Sequence, residues 1–191
     1  MRVVLASTSP FRRQLLEKLG IPFETFSPRV DESRFTGEPA SDLVERLAEA
    51  KARAAGSAFP DGLIIGSDQV ASIGDEVLGK PGNRENAIAQ LTAASGKTVR
   101  FHTGLCLYNA ASGTCRTVVE PFDVCFRTLD SEQISRYVDR EQPFNCAGSF
   151  KSEGYGITLF SALHGRDPNT LIGLPLIGLV EMLAAEGLAL P

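Results

Sequence analysis

Val3-Val4-Leu5-Ala6-Ser7-Thr8-Ser9-Pro10-Phe11-Arg12-Arg13 decides how this chain folds. The four apolar residues predict a short buried strand. Ser9 has the side chain of a helix N-cap, and Pro10 suits the first helical position because its φ is already set. Leu15, Leu16 and Leu19 follow at helical spacing, and Gly20 supplies a stop. The stretch is therefore a strand, a tight turn and a helix. Such a turn presents backbone N–H groups at the positive end of the helix dipole, which suits an anion. Ser7, Thr8 and Ser9 add hydroxyls, and Arg12 and Arg13 add cations whose planar forks match phosphate. An ordinary capped helix with solvated arginines begins the same way.

Reading outward, residues 22–26 form a second strand and 28–39 a polar stretch. A helix starts near Ser41 and runs to about Ala55, with Leu43, Val44, Leu47, Ala48 and Ala55 on its apolar face. Lys51 falls on that face, where a lysine either snorkels to water or points at a buried anion. Leu63-Ile64-Ile65-Gly66 is a continuous apolar strand of the kind buried on both faces, with Ser67-Asp68-Gln69 at its end. Residues 70–78 read as a hairpin around Gly74-Asp75. Asn83 caps a helix that turns Ile88 and Leu91 inward and stops at Gly96. Residues 97–108 and 117–127 are long strands joined through 109–113. Ser131 caps a helix to about Asp139, 157–163 is a strand, and 176–185 is the last helix. Strands alternating with helices, plus an inserted hairpin, give an α/β fold with a mixed sheet. A single domain over residues 1–191 is expected.

The composition narrows the function. A net charge of −4 argues against a nucleic-acid partner, which would require an excess of Lys and Arg. Cys106, Cys115, Cys125 and Cys146 form no C-x-x-C pair, and His102 and His164 are too far apart for H-E-x-x-H. Free thiols in a reducing compartment are expected. No charged segment followed by a long apolar stretch opens the chain, so no signal peptide is expected. The longest apolar stretch, 171–179, is interrupted by two glycines and a proline and falls short of the ~20 residues a membrane span needs. The reading is cytoplasmic, with no membrane partner.

Neither G-x-x-x-x-G-K-[ST] nor a full dinucleotide fingerprint occurs, since Gly154-Tyr155-Gly156 lacks the third glycine. Asp68, just past a buried strand, sits where α/β sheets place ligands; it suits a general base, a metal ligand or a turn aspartate bonding its own backbone. Asp31 and Glu32 are paired carboxylates of the kind that hold magnesium or manganese, or that simply face water. Lys80 lies in the stiff loop Gly79-Lys80-Pro81.

Together these segments resemble the Maf family over nearly the whole chain. Ser7-Thr8-Ser9-Pro10-Phe11-Arg12-Arg13 matches its S-x-S-P-x-R-R turn. Val30-Asp31-Glu32, Ala50-Lys51-Ala52, Gly66-Ser67-Asp68-Gln69-Val70, Gly79-Lys80-Pro81, Ala147-Gly148-Ser149-Phe150 and Gly173-Leu174-Pro175-Leu176 follow in the family's order. The resemblance implies an α/β fold related to inosine-triphosphate pyrophosphatases: a mixed twisted sheet with flanking helices and a cleft between two lobes. It implies a homodimer and hydrolysis of a nucleoside triphosphate to monophosphate and pyrophosphate with a divalent cation (Mg, Mn or Co). By position, Asp68 would be the proton acceptor. Ser7, Arg12, Arg13, Lys51 and Lys80 would bind phosphates, and Glu32 and Asp68 the metal.

Phe11, Gln69 and Glu153 occupy the positions that tune the base in this family, and with Lys151-Ser152-Glu153-Gly154 they resemble its 7-methyl-GTP branch. The dTTP/UTP branch carries Arg, Thr and Gln there. The 7-methylguanine ring is cationic, which favours an aromatic face, and its Watson–Crick edge offers two N–H donors to a carboxylate. Two other readings stand: a house-cleaning pyrophosphatase for deaminated or pyrimidine nucleotides, and a regulator of cell division that only senses nucleotide.

Overall fold

The computed structural model describes residues 1–191. Two compact units make up the chain: residues 1–69, 103–120 and 167–191 in the first, and 70–102 and 121–166 in the second. Strands β1 (Arg2–Ala6), β2 (Glu24–Phe26), β3 (Gly62–Ile73), β4 (Glu76–Leu78), β5 (Thr98–Asn109), β6 (Thr114–Phe126) and β7 (Phe160–Gly165) belong to one mixed sheet. Its order is β2-β1-β3-β5-β6-β7, with β4 paired to β3. The helices are α1 (Pro10–Glu17), α2 (Ala40–Ala54), α3 (Arg84–Ala94), α4 (Ser131–Glu141), α5 (Pro168–Ile172) and α6 (Leu176–Ala185).

In the first unit β1 runs parallel to both β2 and β3, with Ala6 opposite Gly66 at the end of the β3 pairing. Side chains alternate across a strand, so each apolar run serves two faces. Val3, Leu5, Leu63, Ile65, Leu105 and Leu107 pack with Leu15 and Leu16 of α1 and Leu179, Met182 and Leu183 of α6. Val4, Ala6, Ile64 and Cys106 pack on the other face, with Ala48 and Ala52 of α2. Burial on both faces is why these strands read as unbroken apolar runs.

Two glycines set the depth of α2. A Cβ on Gly66 would stand 2.1 Å from the Ala48 carbonyl oxygen, and one on Gly104 2.2 Å from that of Val44. Any side chain at either position would push α2 off the sheet.

In the second unit Phe126 stacks edge-on with Phe150 and Phe160, and Phe150 likewise meets Phe101. α4 begins with a capping box: the Asp130 carboxylate accepts from Gln133 N, and the Gln133 side chain accepts from Asp130 N. The expected cap, Ser131, is the first helical residue instead. β7 begins at Phe160 rather than 157 because residues 155–159 wind into a 3-10 turn. β3 continues to Ile73, beyond the strand end expected at Gly66. All four cysteines are free, as expected, and no helix is long and apolar enough to cross a membrane.

Candidate active site

The first turn is built as the sequence predicts. Ser9 caps α1 by accepting from Arg12 N at 3.3 Å, Pro10 opens the helix, and Ser7 Oγ accepts from Ser9 N at 3.1 Å. A cap of this kind contributes about 1 kcal/mol. Ser7 is buried with its hydroxyl hydrogen still able to donate. Arg12 is partly buried and its Nε donates to the Gly173 carbonyl at 2.8 Å. Burial lowers the pKa of this guanidinium, while Asp68 and Glu32 pull it back up.

Strand parity places the rest. On β3 even-numbered residues face α2, so Asp68 follows Ile64 and Gly66 on that side, and Gly66 lets α2 come close enough for contact. Lys51 Nζ donates to Asp68 Oδ1 at 2.6 Å and pairs with Glu32 Oε1 at 2.7 Å. Lys51 and Asp68 are 7% and 8% exposed, whereas the Glu32 side chain is 62% exposed. One ammonium therefore bridges two carboxylates at the point where β3 outruns β1. Asp68 lies inside a continuous strand rather than past its end, but beyond the last residue paired with β1.

Glu32 is held through its own loop. Glu38 takes Arg46 of α2 with both oxygens, at 2.7 and 2.9 Å, and Arg46 Nη2 also donates to the Ser33 carbonyl at 3.0 Å. Asp31 turns away to accept from Ser33 N at 2.9 Å.

The remaining expected residues each have their own setting. Arg13 is exposed and pairs with Glu17, one turn along α1, at 3.1 Å. Phe11 is 39% exposed on the first turn of α1. Gln69 points to the face opposite Asp68, where its amide donates to Thr103 Oγ1 at 2.9 Å and to the Thr170 and Leu171 carbonyls at 2.8 and 3.3 Å. In the second unit Lys80 is exposed after β4. Glu153 is exposed on a turn anchored to α4, where Tyr155 N donates to Glu141 Oε2 at 2.9 Å and Lys151 N to Tyr137 Oη at 3.1 Å. Burial raises the Tyr137 phenol, which stays protonated and accepts from that amide.

Sequence reasoning missed Ser67, Asp167, Thr170 and the Gly173 carbonyl, all buried beside the Arg12 turn. Asp167-Pro168 repeats the cap-and-proline signal of Ser9-Pro10 and marks α5.

The donor set is one of hard oxygens. Glu32 and Asp68 converge within 2.7 Å of a single cationic nitrogen, so the pair can hold positive charge between them. No group of three or more His, Cys, Asp or Glu forms an all-protein cage. Two carboxylates with substrate oxygens completing the shell is the usual arrangement for magnesium-type cations, and the residues fit it.

Among known proteins, the Maf-like protein family matches residues 2–186. A 7-methyl-GTP pyrophosphatase of Alcanivorax borkumensis is 64% identical over 189 residues, 99% of this chain and 96% of that protein. Proteins of the same name from Vibrio vulnificus and Pseudoalteromonas translucida are each 58% identical, over 98% and 97% of this chain and 96% and 92% of theirs. Among solved structures, the Ham1 protein of Staphylococcus aureus aligns with a TM-score of 0.45 at 12% identity, covering 82% of this chain and 90% of that one. With the family match spanning the chain and these relatives matching nearly end to end, the chain belongs to the Maf family.

Proposed function

We propose that the protein is a nucleoside triphosphate pyrophosphatase that hydrolyses 7-methyl-GTP to 7-methyl-GMP and pyrophosphate. The observation that carries the chemistry is the Lys51 ammonium lodged 2.6 Å from Asp68 and 2.7 Å from Glu32, with Arg12 electrostatically coupled to both carboxylates. The preference for 7-methyl-GTP rests on the names of the close relatives and on Phe11 and Glu153.

Water attacks phosphorus, the phosphoanhydride bond breaks and pyrophosphate leaves. Asp68 accepts the proton that water gives up. Catalysis on a triphosphate is chiefly positioning and charge neutralisation, which Arg12, Lys51, Arg13, Lys80 and the Ser7 hydroxyl supply. Lys51 changes partners in this scheme, from carboxylates to phosphate. Glu32 and Asp68 would hold a divalent cation (Mg, Mn or Co), which supplies further charge neutralisation on the phosphates. The free thiols suit a reducing, cytoplasmic setting.

For the base, Phe11 offers an exposed ring to the cationic 7-methylguanine, and the Glu153 carboxylate accepts from its two N–H groups. The low ends of these contributions sum to about 2 kcal/mol, or roughly thirtyfold in discrimination. Gln69 acts through its amide, by fixing residues 170–171.

The test is a panel of nucleoside triphosphates assayed for pyrophosphate with metal. The kcat/KM for 7-methyl-GTP should exceed that for dTTP by ~30-fold, and that for GTP by at least about twofold, since guanine shares the Glu153 contacts and lacks only the cationic ring. Comparable turnover of dTTP would sink the assignment, and tight binding without pyrophosphate release would make the protein a sensor. Glu153→Gln should narrow the 7-methyl-GTP to dTTP ratio ~10-fold while pyrophosphate release continues.

A further inference from the structure

The Gly173-Leu174-Pro175-Leu176 motif places no side chain in the proposed reaction, yet its backbone meets the Arg12 turn. α5 is short; its Asn169 and Thr170 carbonyls accept from Gly173 N, which closes the helix, and its C-terminus carries the negative end. Side chains from outside α5 reach the Thr170 carbonyl and the Gly173 carbonyl just beyond. The Thr170 carbonyl accepts from Gln69 Nε2 at 2.8 Å and Thr103 Oγ1 at 3.1 Å. The Gly173 carbonyl accepts from Arg12 Nε at 2.8 Å and Ser67 Oγ at 3.0 Å.

One carboxylate closes this segment. Asp167, wholly buried, accepts from Asn169 N at 2.8 Å and Asn169 Nδ2 at 2.7 Å on one oxygen. Its other oxygen accepts from Ile177 N, in the first turn of α6, at 2.8 Å. Gly173 has φ +123°, a conformation L side chains rarely adopt, so the carbonyl orientation depends on glycine.

An arginine can offer phosphate two edges: Nε with one terminal nitrogen, or both terminal nitrogens. The Gly173 carbonyl takes Nε, so the first edge is spent on the protein and the second is left for ligand. We propose that Ser67 and residues 167–177 are positioning elements for Arg12. They fix its guanidinium so that both terminal nitrogens face the triphosphate. Ser67 ties that carbonyl to β3 next to Asp68, so the phosphate-binding fork and the proton acceptor share one frame. Holding the fork before the nucleotide arrives reduces the side-chain freedom lost on binding. The inference rests on the reading of Arg12 as a phosphate ligand.

A double-mutant cycle tests it: Arg12→Ala, Ser67→Ala and the double variant, by steady-state kinetics on 7-methyl-GTP, with urea midpoints confirming the fold. Arg12→Ala should raise KM ~30-fold, as loss of a charged hydrogen bond does. Ser67→Ala should raise KM ~5-fold with kcat within about twofold, and should add nothing in the Arg12→Ala background. Equal effects of Ser67→Ala in both backgrounds overturn the positioning role alone. An unchanged KM in Arg12→Ala overturns both this inference and the phosphate reading, so the two failures are distinguishable. Should Ser67→Ala not fold, Asp167→Asn, alone and with Arg12→Ala, is read by the same criterion.

Discussion

Two ion-pair clusters in this molecule are built to opposite designs. Arg100 on β5 grips Asp123 on β6 with both nitrogens against both oxygens, each bond at 2.7 Å, at the surface of the second unit. Lys51 in the first unit is buried and offers one nitrogen to two acids from different segments, at 2.6 and 2.7 Å. The surface pair is the better-matched salt bridge, because planar fork meets planar carboxylate and every partner is used. The Lys51 cluster sets one largely buried ammonium between two acids, with Arg12 and Arg46 adding positive charge nearby, and its ammonium makes single contacts only. A matched pair in water contributes little and does nothing else, whereas an ammonium shared by two carboxylates can pass to a phosphate and leave the carboxylates to a cation. Chemistry therefore belongs to the shared ammonium rather than to the matched surface pair.

The largest effect is expected from Asp68→Asn. The amide keeps the shape of the strand and contact with Lys51 but cannot take a proton, so kcat should fall ~10³-fold with KM little changed. A kcat within tenfold of the unsubstituted enzyme would remove Asp68 as the proton acceptor.

Lys51→Ala should cost stability as well as turnover. It leaves Asp68 and Glu32 facing each other without their shared cation. Breaking a fully buried pair costs about 3–5 kcal/mol, and the exposed Glu32 side chain lets water in, so ~2 kcal/mol is expected from urea denaturation. A variant as stable as the parent would mean that the trio is solvated like a surface pair, and the contrast would fail.

Much of this architecture was legible in the sequence, and the exceptions share a physical cause. The capped first turn, α2 with Lys51 on its apolar face, the mixed sheet and the last helix are all local patterns, and each stands as read. The apolar run ends at Gly66, so the sequence alone puts Asp68 past a strand. The strand continues because each polar group after it is satisfied: Ser67 by Gly173, Asp68 by Lys51 and Gln69 by Thr170. Two of those partners lie more than a hundred residues away, and nothing in a linear pattern announces them. The parity was visible all the same, since even-numbered residues after Ile64 had to face the helix that Gly66 admits. Arg13 illustrates the reverse: two adjacent arginines look equivalent in sequence, yet their side chains leave the helix in different directions. Arg12 reaches Gly173, and Arg13 bonds Glu17 on its own surface.

The smallest expected effect belongs to the surface pair. Arg100 holds the Asp123 carboxyl below its usual value, with lesser help from His164 and His102. A carboxylate whose pKa is depressed by folding stabilises the folded state above its unfolded pKa, about 3.9, and that stabilisation is lost as pH falls through the lower folded value. Both side chains touch water, so the contribution at pH 7 should be under about 1 kcal/mol. Asp123→Asn should therefore lower the urea midpoint slightly at pH 7, and the difference from the parent should shrink as pH falls below 4. Turnover should stay within about twofold, because the pair is balanced and offers nothing to a ligand. A loss of stability at pH 7 as large as that of Lys51→Ala would show that ion-pair matching, rather than burial, sets what these clusters are worth.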